Sequence, residues 1–367
     1  MKIHEKAVKN IFMIGYSDHK GGVETYIDHL TASLDRERYN IVYSLPVMKI
    51  DGKIWKRPPN RHNYLSYRLF WRHFFRENKF DVLYYNTCDV VSIEMLRFAK
   101  SAGIPVRIIH SHNTGNQQAI DKPLNLFHRI SERHNHRVLD RYATRFLACS
   151  QEAGKWMFDG RPFTVVKNGI SLSKYRYSEE NRQRIRRQIG IENESLIGLL
   201  GRISPQKNPS YAIRILQALA ARSSNVRAVF LGDGDLRAQT EEAAARMGLK
   251  DRVKFMGNVN NANEWLSAFD VLLTPSLFEG EPFALIEAQA NGLPCVVSSR
   301  ISRDVDQTGL ISFVNLEESP DVWASELLRA QGRRATDVVE KLAAAGYDAE
   351  TTAKTVAAIL EEGAPCR

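Results

Sequence analysis

Cysteine is scarce in this 367-residue chain and does not cluster: Cys88, Cys149, Cys295 and Cys366 lie far apart. Such spacing excludes a disulfide framework and a thiolate metal site, and it suits a reducing cytoplasm. Long apolar runs are missing too. No stretch reaches the roughly 18 apolar residues of a spanning helix, and Met1-Lys2-Ile3-His4-Glu5-Lys6 lacks the apolar core of an export signal. The expectation is a protein neither exported nor threaded through a membrane. Low-complexity segments and short repeats are absent. Acidic charge is the remaining deficit: 42 Asp and Glu face 51 Lys and Arg, a net charge of +9 with pI ≈ 9.3. An excess of this size points to nucleic acid, an anionic membrane surface or a phosphorylated substrate.

What is present is an ordinary globular composition, 43% hydrophobic and 25% charged, with length enough for two cores. Asn10 to Gly15 has the pattern of a buried strand. Gly21-Gly22-Val23-Glu24 follows, then a helix through Tyr26, Ile27, Leu30 and Leu34. Strand, glycine turn and helix open a parallel α/β unit, whose ligands bind at the carboxyl ends of the strands. Glycines there let a substrate approach the backbone closely; a plain tight turn is the alternative. Further strands are expected at Ile41–Val47, Phe80–Tyr85, Pro105–Ile109, Arg145–Ser150 and Thr164–Ile170, with helices over Val91–Ser101 and Lys122–Ala143. The last of these helices carries Arg129, Arg133, Arg137 and Arg141. His110-Ser111-His112-Asn113-Thr114-Gly115 lies where a parallel strand meets its loop. Histidine there suits hydrogen bonding to a sugar hydroxyl or acid–base work. No third ligand follows at zinc-like spacing, so no metal site is expected.

Ser171 to Asn193 is charged and poor in large apolar residues, which marks a connector. The strand–loop–helix pattern then restarts at Leu196–Leu200 and repeats at Val226–Leu231, Val253–Gly257 and Val271–Leu273. The expected domains are residues 1–170, a connector over 171–195, a second domain over 196–345, and a terminal helix and tail over 346–367. Two successive α/β halves imply two Rossmann-like domains facing a cleft.

The second half is organised around Phe269 to Pro294: a short strand, a polar turn from Ser276 to Pro282, and a helix from Phe283 that stops at Gly292 and Pro294. Pro282 is expected near the first helical position. Helix N-termini attract anions, phosphate above all. Yet carboxylates flank this one, Glu279 in the turn and Glu287 on the helix. A ligand that presents both phosphates and hydroxyl-rich rings satisfies both features, and a nucleotide-sugar does. Arg202 and Lys207, five apart in the loop after Leu200, form a natural diphosphate clamp, a planar fork and a point charge. Solvated loop cations and a helix-terminal carboxylate are the bland alternatives.

Gly201-Arg202-x4-Lys207, Gly232-Asp233-Gly234, Phe255-x-Gly257 and Glu279-x7-Glu287 occur in that order on successive strand ends. Here the chain resembles glycosyltransferase family 4, the retaining, nucleotide-sugar-dependent enzymes of GT-B fold. The likeness is dense over Leu196–Ser299 and extends to Gly21-Gly22-Val23-Glu24, His110-Ser111-His112-Asn113 and Lys167-Asn168-Gly169-Ile170. It implies that Arg202 and Lys207 hold the diphosphate, that Glu287 binds ribose and that Glu279 binds the donor sugar. It also implies that backbone around Gly280, Glu281, Pro282 and Phe283 meets the phosphates, and that Gly257 lies beside the base. Gly21 and Gly22 close over the diphosphate by the same resemblance. His110 aligns with the family's active-site histidine, with His112 as the alternative, and Glu24 and Asn113 fall in the sugar- or acceptor-side motifs. The family needs neither cofactor nor metal, and uridine is its commonest base. The segment Arg300 to Val305 lacks the family's usual glycine-rich turn, and Glu281 adds a third carboxylate. A softer likeness links the chain to bacterial capsule and exopolysaccharide transferases.

Lys53 to Lys79 interleaves eight cations with Trp55, Tyr64, Tyr67, Phe70, Trp71, Phe74 and Phe75, against the single acid Glu77. This composition suits an anionic membrane face, as expected for a peripheral enzyme using a glycan or polyprenyl-linked acceptor. It also suits single-stranded nucleic acid, or a plain surface helix whose aromatics are core. A nucleic-acid-binding protein would leave Glu279 and Glu287 unexplained. A nicotinamide dehydrogenase would need the third glycine that Gly232-Asp233-Gly234-Asp235-Leu236-Arg237 lacks. A sugar-nucleotide epimerase of the same architecture is the closest rival.

Overall fold

A computed structural model describes residues 8–17, 21–57, 64–114 and 126–362. Met1–Lys6, Arg61, Gly115, Cys366 and the start of the helix expected from Lys122 lie outside these residues. The chain forms two compact units: residues 1–169 with 349–367, and residues 170–348. Each is built on a parallel six-stranded sheet.

In the first unit the order of elements is β1 (Lys9–Ile14), α1 (Gly22–Ser33), β2 (Tyr39–Tyr43), β3 (Val47–Ile50), β4 (Lys53–Lys56), α2 (Tyr64–Glu77), β5 (Val82–Thr87), α3 (Glu94–Ser101), β6 (Val106–Ser111), α4 (Leu126–Val138), β7 (Arg145–Ala148), α5 (Gln151–Phe158) and β8 (Thr164–Val165). The sheet runs β2-β1-β5-β6-β7-β8, so chain direction reverses between β1 and β5. Right-handed crossovers then place α2, α3, α4 and α5 on one face and α1 on the other.

The expected basic aromatic segment divides here. Lys53–Lys56 is a strand, paired antiparallel with Val47–Ile50 around Asp51-Gly52, both at positive φ (48° and 79°). Asp-Gly between short apolar runs is a hairpin signal, and it moves the second strand of the core sheet back to Tyr39–Tyr43. In α2 the aromatics turn inward. Trp71, Phe74 and Phe75 are buried, and their rings, with that of Phe80, lie 5.2–5.7 Å from the ring of Phe12 at the sheet centre. Burying each such ring contributes on the order of 1.5–3 kcal/mol, which decides the direction of the helix. Only Tyr64, Leu65 and Leu69 face outward among its large apolar residues.

The second unit contains α6 (Glu179–Gln188), β9 (Ser195–Leu200), α7 (Pro209–Arg222), β10 (Val226–Leu231), α8 (Arg237–Arg246), β11 (Val253–Phe255), α9 (Ala262–Ala268), β12 (Val271–Thr274), α10 (Phe283–Ala290), β13 (Cys295–Ser298), β14 (Ile311–Val314), α11 (Pro320–Ala330) and α12 (Val339–Ala344). Its sheet order, β11-β10-β9-β12-β13-β14, is the doubly wound pattern with a reversal between β9 and β12.

Two expected boundaries shift. Residues 171–195, read as a connector from their charge, belong to the second unit. Arg182 and Arg186 of α6 both grip Asp270, at 2.6 and 3.2 Å, and Asp270 also accepts from the amide of Leu196 at 2.7 Å. Their cations are an interior clasp rather than a solvated face. The terminal helix, α13 (Ala349–Glu361), belongs to the first unit. Lys9 donates to Leu360 O at 2.6 Å, Arg38 pairs with Glu361 at 2.8 Å, and the Thr352 hydroxyl donates to Lys167 O. No helix among the described residues is long and apolar enough to cross a membrane.

Candidate active site

Both sheets concentrate polar side chains where their strand order reverses, the place at which open α/β sheets leave a crevice outside the carboxyl ends of the strands.

In the second unit, β9 ends at Gly201 (φ 129°) and its loop turns through Pro205–Lys207 before Asn208 opens α7. The loop after β12 runs beside it. Leu277 N donates to Gln206 O at 2.8 Å, Gln206 Nε2 to Phe278 O at 3.1 Å, and Lys207 Nζ to Glu279 Oε1 at 2.7 Å. Glu279 is 7% exposed, and its other oxygen faces Gln206 at 3.4 Å. A cation and a carboxylate from opposite sides of the strand reversal therefore meet in a sheltered ion pair. Arg202 shares that loop but not that shelter. Among the described residues its one ion pair is with Asp235 at 3.2 Å, with side chains 57% and 81% exposed, a contact that holds little against water. Arg202, Lys207, Thr274 and Ser276 line a small cavity of about 30 Å³, room for about one water. Buried Ser276 Oγ has no hydrogen-bond partner among the described residues.

The Gly232-Asp233-Gly234 turn acts through its missing side chains. A Cβ on Gly232 (φ 134°) would lie 2.1 Å from Gly201 O, and one on Gly234 would lie 2.4 Å from Ile203 O. Gly232 N donates to Gly257 O at 2.8 Å and Ile203 N to Asp233 O at 2.9 Å. The loops after β9, β10 and β11 are thus laced together by backbone contacts, with Gly257 in the lacing.

Pro282 lies where expected, near the first helical position: it caps α10 directly before Phe283, with a still extended ψ of 116°. Glu287, in the second turn, is buried and accepts from the Tyr175 hydroxyl at 2.9 Å; burial pushes its carboxyl above the usual range. Glu281 is also buried, and accepts from the Tyr347 hydroxyl at 2.8 Å. The third carboxylate is thereby held by a hydroxyl from the segment that follows α12. Gly280 and Phe283 complete this turn into the helix.

In the first unit, Glu24 reaches back to the amide of Gly21 at 3.1 Å and accepts from Ser17 Oγ at 2.6 Å, closing the start of α1. Among the described residues nothing lies within 4 Å of a Cβ built on Gly22. His110 is buried and His112 half-buried, with rings 4.1 Å apart, and Tyr26 packs against both. Desolvation holds His110 well below its usual pKa and pushes His112 down to about 3, so both are neutral at ordinary pH. Asn86 donates through Nδ2 to Ile14 O at 2.9 Å, so its Oδ1 accepts from His112 Nε2 at 2.9 Å. Tyr84 stands 3.1 Å from His110 Nδ1, and Tyr26 stands 2.9 Å from Tyr84. A phenol is a stronger acid than a neutral imidazole N–H, so Tyr84 donates to Nδ1 and the ring proton sits on Nε2. That Nε2 is buried without a partner among the described residues. Asn113 is buried beside them, with Oδ1 bonded to the amide of Thr114.

Sequence reasoning passed over Gln206, Ser276, Tyr175, Tyr347, Tyr84 and Asn86. Only Gln206 and Ser276 lay inside recognised loops; the rest come from strands and distant segments that tertiary contacts deliver.

Models of two known families match successive parts of the chain: glycosyltransferase family 4 over residues 20–174, and glycosyl transferases group 1 over residues 181–303. EpsF of Bacillus subtilis, which carries a provisional glycosyltransferase name, is 30% identical over 354 residues, covering 90% of this chain and 91% of that protein. The UDP-Gal:alpha-D-GlcNAc-diphosphoundecaprenol alpha-1,3-galactosyltransferase of Escherichia coli is 26% identical over 234 residues, 61% of this chain and 59% of that one. The crystal structure of Anabaena Alr3699/HepE in complex with UDP-glucose superposes with a TM-score of 0.74 at 20% identity, covering 96% of this chain and 99% of that one. WaaG, a glycosyltransferase involved in lipopolysaccharide biosynthesis, gives a TM-score of 0.70 at 15% identity, covering 96% and 100%. With two parallel-sheet units of GT-B type and a full-length relative at this identity, the chain belongs to the glycosyltransferases of the family 4 and group 1 kind and is a transferase enzyme.

Proposed function

We propose that the enzyme is a retaining glycosyltransferase that moves a sugar from a nucleoside diphosphate donor, a UDP-sugar, to a glycan or polyprenyl-linked acceptor in bacterial surface polysaccharide synthesis. The observation that carries this reading is the Lys207–Glu279 pair across the β9/β12 reversal, with buried Glu287 one helix further on. Lys207 and Arg202 hold the diphosphate and neutralise the charge that grows as it leaves. Glu287 takes the ribose hydroxyls, and Glu279 orients Lys207 and the donor sugar. His110 donates from Nε2 to a hydroxyl of the transferred sugar. The bond from the anomeric carbon to the phosphate oxygen breaks, and the acceptor oxygen attacks from the same face. The departing phosphate takes the acceptor's proton, so no protein nucleophile is needed. Fixed cations serve where other transferases use a metal. The donor class is supported by a relative named for UDP-galactose and a neighbour solved with UDP-glucose, and the acceptor class by a relative named for a diphosphoundecaprenol substrate and a neighbour involved in lipopolysaccharide biosynthesis. The enzyme works at the inner face of the plasma membrane.

The test is release of nucleoside diphosphate from a panel of nucleotide-sugars by wild type, Glu287→Ala and Lys207→Ala. Slow hydrolysis of one donor, lost in both variants, supports the reading and names the sugar. Free epimer without any acceptor would replace it with an epimerase, and no binding of any donor would overturn it.

A further inference from the structure

An open cavity of about 1420 Å³ lies away from the residues described above, along α4 and the end of α5. At 100° per residue, Leu126, Ile130, Arg133 and Arg137 share one stripe of α4, with Arg129 and Phe127 at its edges. All six positions except Phe127 line the groove. Leu126, Phe127 and Ile130 are 72%, 73% and 58% exposed, so the first turns of the helix present aliphatic and aromatic surface to water. The opposite side is fastened down. Asn135 is buried, accepts from Arg97 of α3 at 3.0 Å and donates to Val90 O at 2.9 Å.

Arg129, Arg133 and Arg137 make no ion pair among the described residues. Of the acids in the groove, Asp140 is occupied by Arg161 at 2.8 Å, which leaves Glu132 and Asp159. The same helical layer carries a second stripe of like character on α2, where Leu65 and Leu69, 72% and 64% exposed, stand among Arg68, Arg72 and Arg76. Nothing in the donor chemistry uses either stripe.

We infer that the outer surface of this layer, with α4 at its centre, docks on an anionic lipid bilayer. Leu126, Phe127 and Ile130 enter the acyl boundary while Arg129, Arg133 and Arg137 take headgroup phosphates. The exposed apolar surface is mostly aliphatic, Leu126 and Ile130 on α4 and Leu65 and Leu69 on α2, which favours acyl chains over nucleic acid, whose bases need aromatic platforms to stack on. Charge and apolar surface together give stable attachment where one alone gives little. The inference rests on the membrane-face reading above for its occupant and gives it an address.

The experiment is co-sedimentation of the full chain with vesicles of phosphatidylglycerol and phosphatidylcholine, or phosphatidylcholine alone, at low salt, with donor hydrolysis measured separately without vesicles. Arg129→Ser/Arg133→Ser/Arg137→Ser should weaken partition to anionic vesicles about a hundredfold, from about 1 kcal/mol per cation. Leu126→Ser/Phe127→Ser/Ile130→Ser should remove the part that survives added salt. Neither triple should change donor hydrolysis, so a failed docking site and a failed donor site are told apart. An equal charge removal from the second unit, Arg246, Lys250 and Arg329, should change partition only a few-fold. Equal loss in that control, retention in both α4 triples, or no vesicle binding by wild type would overturn the inference.

Discussion

The Tyr84 hydroxyl stands 3.1 Å from Nδ1 of His110 and so decides which nitrogen of that ring carries the proton. Tyr26, 2.9 Å further back, extends the chain into the core. Removing the hydroxyl with Tyr84→Phe leaves the ring in place and frees its tautomer. The expected outcome is a fall in kcat of about tenfold, the worth of one hydrogen bond, with KM little changed. Long-range nitrogen–proton NMR should show Nε2–H at His110 in wild type and a mixture in the variant. A pure Nδ1–H ring in wild type would sink the assignment.

The desolvated, neutral state of His110 and His112 has a consequence for acid stability. Their folded pKa values lie below the unfolded value of about 6.5, that of His112 at about 3. The unfolded chain therefore binds more protons, and stability falls as pH drops below about 6.5, by up to about 1.4 kcal/mol per pH unit for each ring. For His112 the loss runs on to about pH 3. Melting temperature against pH should fall through this window, and less steeply in His112→Asn.

Glu287 works in the opposite sense. Burial raises its carboxyl, so its stabilising contribution is complete below the unfolded value of about 4.3 and is lost as pH rises through the folded one. Hydroxyl donors from a ribose would restore the charged form and lower that pKa. Binding of UDP should then release protons near the unliganded pKa. Calorimetry in buffers of different ionisation enthalpy measures this, and Glu287→Gln should abolish the difference from wild type.

The Lys207–Glu279 pair is sheltered enough that breaking one side strands the other. Lys207→Ala should lower donor turnover by about 10²–10³, as loss of a charge-stabilising group does. Glu279→Gln keeps the shape and lets Lys207 swing, so it should cost less in KM than in kcat. Steady-state kinetics on the one accepted donor checks both.

Gly232 has no room for a side chain, because its Cβ would meet Gly201 O at 2.1 Å. Gly232→Ala should destabilise by about 1–3 kcal/mol and displace the loop that carries Arg202. Thermal denaturation and UDP affinity should fall together; an unchanged melting temperature would show that the loops yield.

Apolar periodicity and turn residues determined the two-fold α/β repeat, because strand and helix formation answer to neighbours a few residues away. The loops that hold Arg202, Lys207, Glu279 and His110 were legible for the same reason. Local pattern did not reveal that Arg186, buried, and Arg182, half-buried, both pair with Asp270, that α13 belongs with the first unit, or that the aromatics of α2 close over Phe12. Charge read along a chain looks solvated until a partner from a distant segment buries it. Tyr84, Tyr175 and Tyr347 were invisible as site residues on the same ground: only the packing of the sheets and terminal segments brings their hydroxyls to His110, Glu287 and Glu281.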